Sequence, residues 1–334
     1  MRIKDVALEA GVSTATVSHV INQTKFVTNE TRQKVLDAVE KLNFYPNAHA
    51  RTLASGRSNI IGLLISDISN PFFPELVKSI ESEAFEQGFN IMLFNTNYDP
   101  DRAAGYVRRL IELKVAGVAL MTAELEPALI DELKRKEVRA VFNDLGIVSE
   151  HISNIVLDYS AGIHEAVRHL VSLGHKRIAH IAGSSQIRSG VIRREAFVEA
   201  IDKYLPGTKE KLIFEGDFRF ESGRSAAHGI LGLKELPTAI VVANDMMALG
   251  AMQELKAKGI KIPQDISIIG FDDIAFASLA EPALTTVCSP RVEIGRRAIE
   301  ALIQTIKIPH QQGMEIKIPT YLIVRESTAP PKKK

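Results

Sequence analysis

Polar side chains follow five of the apolar runs in the chain, at the points where the runs end. These residues are Asp67, Asn70, Asn143, Asp144, Asp158, Asn244, Asp245, Asp272 and Asp273. Carboxylates and amides exchange hydrogen bonds with hydroxyl groups, Arg193 can bridge two oxygens, and the rings of Phe72 and Phe218 can stack on a ligand ring. This combination is typical of a site for a sugar-like or nucleobase-like ligand. The alternative for each single Asp or Asn is the N-cap of the next helix, for which Asn244, Asp245 and Asp273 are the leading candidates.

Motifs for catalysis or metal binding are not found in the sequence. It contains no phosphate-binding loop, no Gly-x-Gly-x-x-Gly and no Gly-x-Ser-x-Gly at a strand-to-helix turn. His164 and His169 are five residues apart, which places them about 140° apart on a helix instead of on one face. The sequence therefore predicts neither an enzyme nor a metal or cofactor site.

The elements that position the polar residues are alternating strands and helices. Apolar runs alternate with helical segments from Ile60, and the alternation restarts after His151. Continuous Val, Ile and Leu runs at this spacing indicate buried parallel strands, so two blocks predict two doubly wound sheets. Ligands of such sheets bind outside the carboxyl ends of the strands, and two facing sheets form a cleft.

The first sixty residues are predicted to fold as three short helices. Gly11 ends the first helix, Ser13 caps a second helix from Thr14 to Asn22, and Thr28 caps a third. The second helix is predicted to bury Val17, Val20 and Ile21, and the third to bury Val35, Leu36, Val39 and Leu42. The second helix then exposes Thr14, Ala15, Ser18, His19 and Asn22. A helix-turn-helix presents such a short polar face to the DNA major groove, whereas the alternative is a three-helix cap on a larger domain.

Several motifs resemble the LacI/GalR (lactose-repressor) family of transcription regulators. They are Ile3-Lys4-Asp5-Val6-Ala7, Gly11-Val12-Ser13, Thr16-Val17-Ser18-His19-Val20-Ile21-Asn22, Tyr45-Pro46-Asn47, Asn70-Pro71-Phe72-Phe73, Val242-Ala243-Asn244-Asp245 and Gly270-Phe271-Asp272-Asp273. The resemblance runs from residue 2 to about residue 327, and the N-terminal stretch is most similar to the purine-repressor branch.

The resemblance implies a domain order and a set of site residues. A helix-turn-helix domain at 1–45 and a hinge helix or linker at 46–58 would precede an effector-binding and dimerisation domain at 59–327. Within that domain, lobe 1 would comprise about 59–158 and 290–318, and lobe 2 about 159–289 and 319–327. Residues 328–334 would form a flexible tail. The DNA-binding residues would be Thr14, Ala15, Thr16, Ser18, His19, Asn22 and Lys25, with Leu53 as a minor-groove wedge. The effector-binding residues would be Phe72, Arg193, Phe218, Asn244 and Asp272.

Departures from the purine-repressor branch bear on operator and effector. That branch has Thr where Ala15 stands and Arg where Lys25 stands, and it has Trp and Arg where Leu145 and Ile187 stand. A sugar or sugar derivative is therefore the favoured effector, and a purine or nucleoside is the alternative.

Composition sets the remaining limits. Lys and Arg number 41 and Asp and Glu 40 in 334 residues, which excludes a histone-like polycation. Residues 1–58 carry eight basic and five acidic side chains, leaving 33 and 35 for the remainder, as expected for a DNA-binding module on a near-neutral body.

The lone Cys288 and the lack of a signal peptide or membrane span predict a cytoplasmic protein. The expected partners are double-stranded operator DNA, a small effector and a second copy of the chain. A solute-binding protein for uptake is the competing class, and it would need an export signal.

Overall fold

The chain folds into two compact units. The structure is a computed structural model that describes residues 1–22, 25–45, 58–122, 125–308 and 310–332. The units comprise residues 1–58 and 59–334. Leu53 and the rest of the predicted hinge, apart from Ser58, lie outside the described residues. None of the described helices has the length and apolar character needed to cross a bilayer.

The part of the first unit that the structure describes consists of three helices around a small core. They are α1 (Ile3–Ala10), α2 (Thr14–Asn22) and α3 (Asn29–Lys41). Val6, Val17 and Val35 are fully buried and contribute one side chain from each helix, with Val20 and Ala38 beside them. The prediction for Leu36 is wrong, because its side chain is 45% exposed. Val35, Ala38 and Val39 lie on the inward face of α3, whereas Leu36 is turned by about 100° from Val35 around the helix and so lies at the edge of that face.

The turn between α1 and α2 is set by two adjacent residues. Gly11 has a φ of +65°, the left-handed conformation that glycine adopts at helix C-termini. Its neighbour Val12 donates its N–H to the carbonyl of Ala7 at 3.0 Å, which closes the end of α1. Ser13 then accepts a hydrogen bond from the N–H of Thr16 at 3.1 Å and caps α2, as predicted.

The described strands of the second unit form two six-stranded sheets. Sheet 1 has the order β11-β5-β4-β3-β1-β2 and sheet 2 the order β12-β10-β9-β8-β6-β7. The strands of sheet 1 are β1 (Ile60–Ile65), β2 (Asn90–Asn95), β3 (Gly117–Met121), β4 (Ala140–Asn143), β5 (Ile152–Leu157) and β11 (Glu315–Ile318). The strands of sheet 2 are β6 (Ile178–Ile181), β7 (Leu212–Phe214), β8 (Ala239–Val242), β9 (Ser267–Asp272), β10 (Thr285–Cys288) and β12 (Tyr321–Ile323). All pair in parallel except β12, which is antiparallel to β10, so the predicted fold class is confirmed.

Helices cover the sheets and complete two lobes. Lobe 1 is sheet 1 with α4 (Phe72–Glu86), α5 (Pro100–Glu112), α6 (Pro127–Arg135) and α12 (Arg291–Lys307). Lobe 2 is sheet 2 with α7 (Tyr159–Ser172), α8 (Arg188–Tyr204), α9 (Phe220–Leu231), α10 (Asp245–Ala257) and α11 (Ala275–Leu279). The chain passes between the lobes after β5, after β10 and after β11. Three strand-like connections are thus the covalent links about which the lobes can move.

Residues 328–332 are hydrogen-bonded to lobe 2, in contrast to the flexible tail expected from the sequence. The N–H of Ala329 donates to Ser267 Oγ at 3.0 Å, and its carbonyl lies 2.9 Å from His175 Nε2. Lys332 forms an ion pair with Asp265. Backbone hydrogen bonds leave no periodic side-chain pattern, which is why the sequence gives no sign of this attachment.

Close packing of α9 on α10 predicts opposite effects for two Gly→Ala substitutions. A Cβ at Gly250 would lie 2.1 Å from the carbonyl oxygen of Phe220, so Gly250→Ala must push the helices apart and is expected to lower the free energy of unfolding by roughly 1–3 kcal/mol. Gly105 on α5 has no atom within 4 Å of an added Cβ, so Gly105→Ala is expected to raise it by roughly 0.5–1 kcal/mol. Urea unfolding of the full chain measures both. Equal changes in the two variants would show that helix propensity, not helix contact, governs Gly250.

Candidate functional site

The outer face of α2 carries the predicted DNA-binding residues. Thr14, Ala15 and Asn22 are exposed, whereas Thr16, Ser18 and His19 are half-buried. Thr16 Oγ1 lies 2.9 Å from Ser13 Oγ, and Asn22 Nδ2 donates to Ser18 Oγ at 3.2 Å. These local bonds fix side chains along the helix edge, which leaves the small Thr14 and Ala15 as the outermost residues at its N-terminal end.

The same unit carries further basic side chains and one exposed aromatic side chain. Lys34 and Lys41 pair with Glu30 and Glu9. Within residues 1–22 and 25–45, Lys4, Lys25 and Arg32 have no carboxylate within ion-pair distance. Such cations suit phosphate oxygens, which position a protein on DNA. Phe26 is 93% exposed beside Lys25, a feature that sequence reasoning did not single out.

The second candidate site is a cleft between lobe 1 and lobe 2. Its enclosed part has a volume of about 90 Å³, and residues of both lobes line it. All five predicted effector residues line it: Phe72, Arg193, Phe218, Asn244 and Asp272. Asn143 and Asp144, at the end of β4, line it from lobe 1. Parallel strands bring their carboxyl ends to one edge of each sheet, and this is why residues distant in sequence meet here.

Arg193 is the most enclosed charged group of the cleft. Its guanidinium carbon lies 4.5 Å from the ring centre of Tyr159 and 4.1 Å from that of Phe271, and the residue is 5% exposed. Nη1 donates to the carbonyl of Ala243, and Nη2 lies 3.5 Å from Asp272 Oδ1. Nε is buried without a hydrogen-bond partner. A buried N–H without an acceptor has an unfavourable free energy, so a ligand oxygen that accepts from Nε would bind with a correspondingly more favourable free energy.

Asp272 sits at the end of β9 in a strained backbone conformation. Its φ is +110°, a backbone angle that residues other than glycine rarely adopt and that costs on the order of 1–3 kcal/mol. Burial raises the pKa of its carboxyl from 3.8 to about 6, although Arg193 and Arg291 oppose the rise. Burial and the charge of Asp272 also raise the pKa of Asp245, which accepts hydrogen bonds from Thr286 and from the N–H of Ile274. The carboxyl of Asp272 is therefore poised to change charge near neutral pH.

Asp144 and Tyr159 line the cleft and join the two lobes through a hydrogen bond. Tyr159 donates its hydroxyl to Asp144 Oδ2 at 2.5 Å, and the N–H of Leu157 donates to Oδ1 at 3.0 Å. Burial raises the pKa of Asp144, against the effect of the Tyr159 hydrogen bond. Asn143 Nδ2 donates to the same carboxylate at 2.7 Å, which leaves Asn143 Oδ1 buried without a partner. Asn143 on lobe 1 and Arg193 on lobe 2 line the cleft, and each carries one buried polar atom without a partner.

Asn244 caps a helix and also lines the cleft. Its Oδ1 accepts the N–H of Met247 at 2.9 Å at the start of α10, and its Nδ2 donates to the carbonyl of Phe218 at 2.8 Å. Phe218 has a φ of +70°, and its ring fills the space over Gly183, where a Cβ would lie 2.1 Å from Cζ. Asn244 therefore holds the backbone that aims Phe218 into the cleft.

Phe72 begins α4 on the lobe 1 side, next to a charged link between the lobes. Its ring packs edge-on against Phe73 at 5.3 Å and lies 6.0 Å from the guanidinium of Arg291. Arg291 Nε donates to Glu75 at 2.8 Å in lobe 1, and Nη2 donates to the carbonyl of Asp273 at 2.5 Å in lobe 2. One half-buried arginine thus links lobe 1 to lobe 2.

Other strand-end residues named from the sequence have local structural roles. Asp158 caps α7 through the N–H of Ala161, Asp67 accepts from Ser69, and Asp273 pairs with Arg325. Tyr159 and Arg188 line the cleft but were not predicted. Tyr159 directly follows a strand-end aspartate, the signal that would have identified it.

Comparison with known proteins decides the family. Residues 2–47 match the family described as bacterial regulatory proteins, lacI family, and residues 167–328 match the periplasmic binding protein-like domain. The transcriptional repressor PurR of Aliivibrio salmonicida is 36% identical over 97% of this chain and 98% of its own length, and PurR of Vibrio atlanticus is 39% identical over 91% and 92%. The chain belongs to the LacI family. The predicted resemblance, including its closeness to purine repressors, is confirmed.

Solved structures of LacI-family proteins have the same fold. The lac repressor dimer bound to operator and the anti-inducer ONPF matches 98% of this chain and 99% of its own, at 29% identity and a TM-score of 0.86. The regulator CelR in complex with cellobiose matches 98% and 99% at 30% identity and a TM-score of 0.72. A LacI-family regulator from Enterococcus faecium with bound ribose matches 82% and 100% at 30% identity and a TM-score of 0.74. This protein is thus a LacI-family transcription regulator with a DNA-binding domain and an effector domain.

Proposed function

We propose that this LacI-family regulator is a homodimeric repressor that binds a pseudo-palindromic operator with an affinity set by a small molecule in the cleft. The observation that carries the proposal is the pair of unpaired buried atoms, Asn143 Oδ1 and Arg193 Nε, on opposite lobes of one cleft. A ligand that bonds both atoms favours the closed arrangement of the lobes. One α2 helix reads only a few base pairs, so two copies are needed for useful specificity.

A sugar or sugar derivative is the effector class that the cleft favours. Arg193 and Asp272 place a donor and an acceptor 3.5 Å apart, a spacing suited to neighbouring hydroxyl groups. The rings of Phe72 and Phe218 provide apolar faces for the C–H side of a sugar ring. Two of the structural relatives carry cellobiose and ribose.

A purine is the second candidate, and it rests on the identity of 36–39% to PurR repressors. Phe72 and Phe218 also suit a planar base. Against it, Leu145 and Ile187 line the cleft where the purine-repressor branch has Trp and Arg. These apolar side chains cannot donate the hydrogen bonds that a purine ring accepts.

The mechanism is a change of lobe angle that alters the spacing of the two DNA-binding units in the dimer. Ligand in the cleft favours one arrangement of the three inter-lobe connections, and such coupling amounts to about 1–3 kcal/mol between the two sites. Operator affinity measured with and without the ligand shows whether the ligand strengthens or weakens DNA binding.

The test combines ligand screening with operator selection. Thermal shift of the full chain against ribose, glucose, galactose, cellobiose, hypoxanthine and guanine identifies the class, because a ligand bound only by the folded state raises the melting temperature. Operator is selected from a random duplex pool, and its affinity is measured by fluorescence anisotropy with and without the best ligand. A roughly 5–150-fold change in affinity is expected. If the protein binds no duplex more tightly than random competitor DNA, the repressor proposal is wrong. If only hypoxanthine or guanine raises the melting temperature, the effector is a purine and not a sugar.

Leu53→Ala is expected to weaken specific operator binding by roughly 10–100-fold, since the resemblance makes Leu53 the wedge that kinks the operator. Anisotropy with the selected operator measures the loss. Effector affinity of the same variant is the internal control and is expected to stay unchanged. Wild-type operator affinity in the variant would remove the wedge from the mechanism.

A further inference from the structure

Glu150, His151 and His310 form a cluster outside the cleft and the DNA-binding face. One oxygen or nitrogen from each residue lies within 4.8 Å of the others. Nδ1 of His310 is 2.7 Å from Glu150 Oε1, and Nε2 of His151 is 3.5 Å from the same oxygen. The cluster precedes β5 and lies in the crossover from α12 to β11, at the end of sheet 1 opposite the carboxyl ends that line the cleft.

His151 is the observation that points to a ligand. The residue is 8% exposed, and its Nδ1 is buried without a hydrogen-bond partner. Its Nε2 faces the Glu150 carboxylate at a separation too long for a good hydrogen bond. Nε2 is therefore the ring nitrogen that a ligand could reach, and a cation between Nε2, the Glu150 carboxylate and the His310 imidazole would give it a partner, with the ring proton on Nδ1.

Backbone hydrogen bonds hold the two segments of the cluster in register. The N–H of His151 donates to the carbonyl of Gln311 at 3.0 Å, and that of Gly313 donates to the carbonyl of Ser149 at 3.0 Å. Glu150 and Gln312 form an antiparallel bridge. A Cβ at Gly313 would lie 1.7 Å from the carbonyl oxygen of Ile152, so only glycine permits this approach. These backbone contacts therefore fix the segment that carries Glu150 and His151 against the segment that follows His310.

We propose that this cluster, the Glu150–His151–His310 site, binds a divalent transition metal of the zinc class with water completing the coordination. Ligand atoms of a tetrahedral zinc site are about 3.3 Å apart, as follows from bond lengths near 2.0–2.1 Å. The 3.5 Å between His151 Nε2 and Glu150 Oε1 is close to this value. Nδ1 of His310 is hydrogen-bonded to the same oxygen at 2.7 Å, so these two atoms would move apart by about 0.6 Å to admit the metal. Two imidazoles and one carboxylate favour Zn²⁺, Ni²⁺ or Cu²⁺ over Mg²⁺ and Ca²⁺, which prefer oxygen alone. The metal would tie the crossover to the start of β5.

The test uses tag-free, metal-stripped full chain. Titration with Co²⁺ reports tetrahedral binding through its visible absorption, and Zn²⁺ affinity follows from competition with a chromogenic chelator. One equivalent per chain is expected. His310→Gln and Glu150→Gln are expected to weaken Zn²⁺ binding by at least about 100-fold, because even outer partners of metal sites contribute about 10–100-fold.

The matched control is His228→Gln, since His228 is also an exposed histidine paired with a glutamate, at 3.2 Å from Glu254. It is expected to keep wild-type affinity. His310 is 87% exposed, so its variant should fold normally, and circular dichroism checks this. Less than stoichiometric binding by the wild type, or binding that survives His310→Gln and Glu150→Gln, would overturn the proposal.

Discussion

Arg193→Met is expected to weaken effector binding by at least about 100-fold, equivalent to roughly 3 kcal/mol or more. The substitution keeps an apolar side chain of similar length but removes the guanidinium that stacks on Tyr159 and Phe271, and with it the unpaired Nε donor and the partner of Asp272. A ligand then loses a charge-assisted hydrogen bond inside a buried site. Isothermal titration with the ligand that gives the largest thermal shift measures the loss.

Arg194→Met provides the matched control on the same helix. Arg194 is the next residue, and its guanidinium pairs with Glu215 at the surface. Its variant is expected to keep wild-type ligand affinity, because surface ion pairs contribute little. Because removal of Arg193 leaves Asp272 without its guanidinium partner, unfolding of ligand-free Arg193→Met separates lost binding from lost folding. Retained ligand affinity in folded Arg193→Met would place the effector elsewhere in the chain.

The fold and the meeting of the cleft residues could be predicted from the sequence because both follow from repeating patterns. Continuous apolar runs define β1, β3 and β4, and the parallel pairing of these strands brings their carboxyl ends together. Asn143 ends a strand of sheet 1 and Asp272 ends a strand of sheet 2, and the two sheets face one cleft. Both residues therefore line it although their positions in the sequence differ by 129.

The role of each strand-end residue could not be predicted, because it depends on single hydrogen bonds. Asp158 and Asp272 both end apolar runs, yet Asp158 caps α7, whereas a φ of +110° directs Asp272 to the cleft. Asn244 does both, since its two polar atoms serve the cap and Phe218. A residue pattern does not encode which of these bonds forms.

Contacts between distant segments were equally hidden. His151 and His310 meet only because β11 pairs with β5, and no motif links them in the sequence. In the sequence, the pair closest to a metal-binding motif is His164 and His169, whose helical spacing is wrong, whereas the cluster of Glu150, His151 and His310 is built by strand pairing. Short spacings reveal sites on one element, whereas sites across a crossover need the topology.

Asp272→Asn is expected to remove a distinct component of the pH dependence of stability. The folded-state pKa of about 6 exceeds the ordinary value of 3.8, so the folded chain holds a proton that the unfolded chain has lost between about pH 4 and pH 6. Stability from this group is therefore lost as the pH rises through that window, by up to about 3 kcal/mol. Exposed carboxyls with lowered pKa, such as Asp265, act in the opposite direction and are unchanged in the variant. Urea unfolding at pH 4.5 and 6.5 measures the difference between the two proteins.

The same titration governs effector affinity with the opposite sign. In the proposed sugar complex, a hydroxyl would donate to the ionised carboxylate of Asp272, so ligand binding would favour the charged form and strengthen as the pH rises. With a pKa of about 6, the ionised fraction falls about tenfold from pH 7 to pH 5, and affinity should fall by the same factor. Asp272→Asn should bind weakly and with a flat pH profile over this range. A wild-type affinity that is constant from pH 5 to pH 7, or a variant that retains the tenfold change, would show that the carboxylate of Asp272 does not receive the ligand.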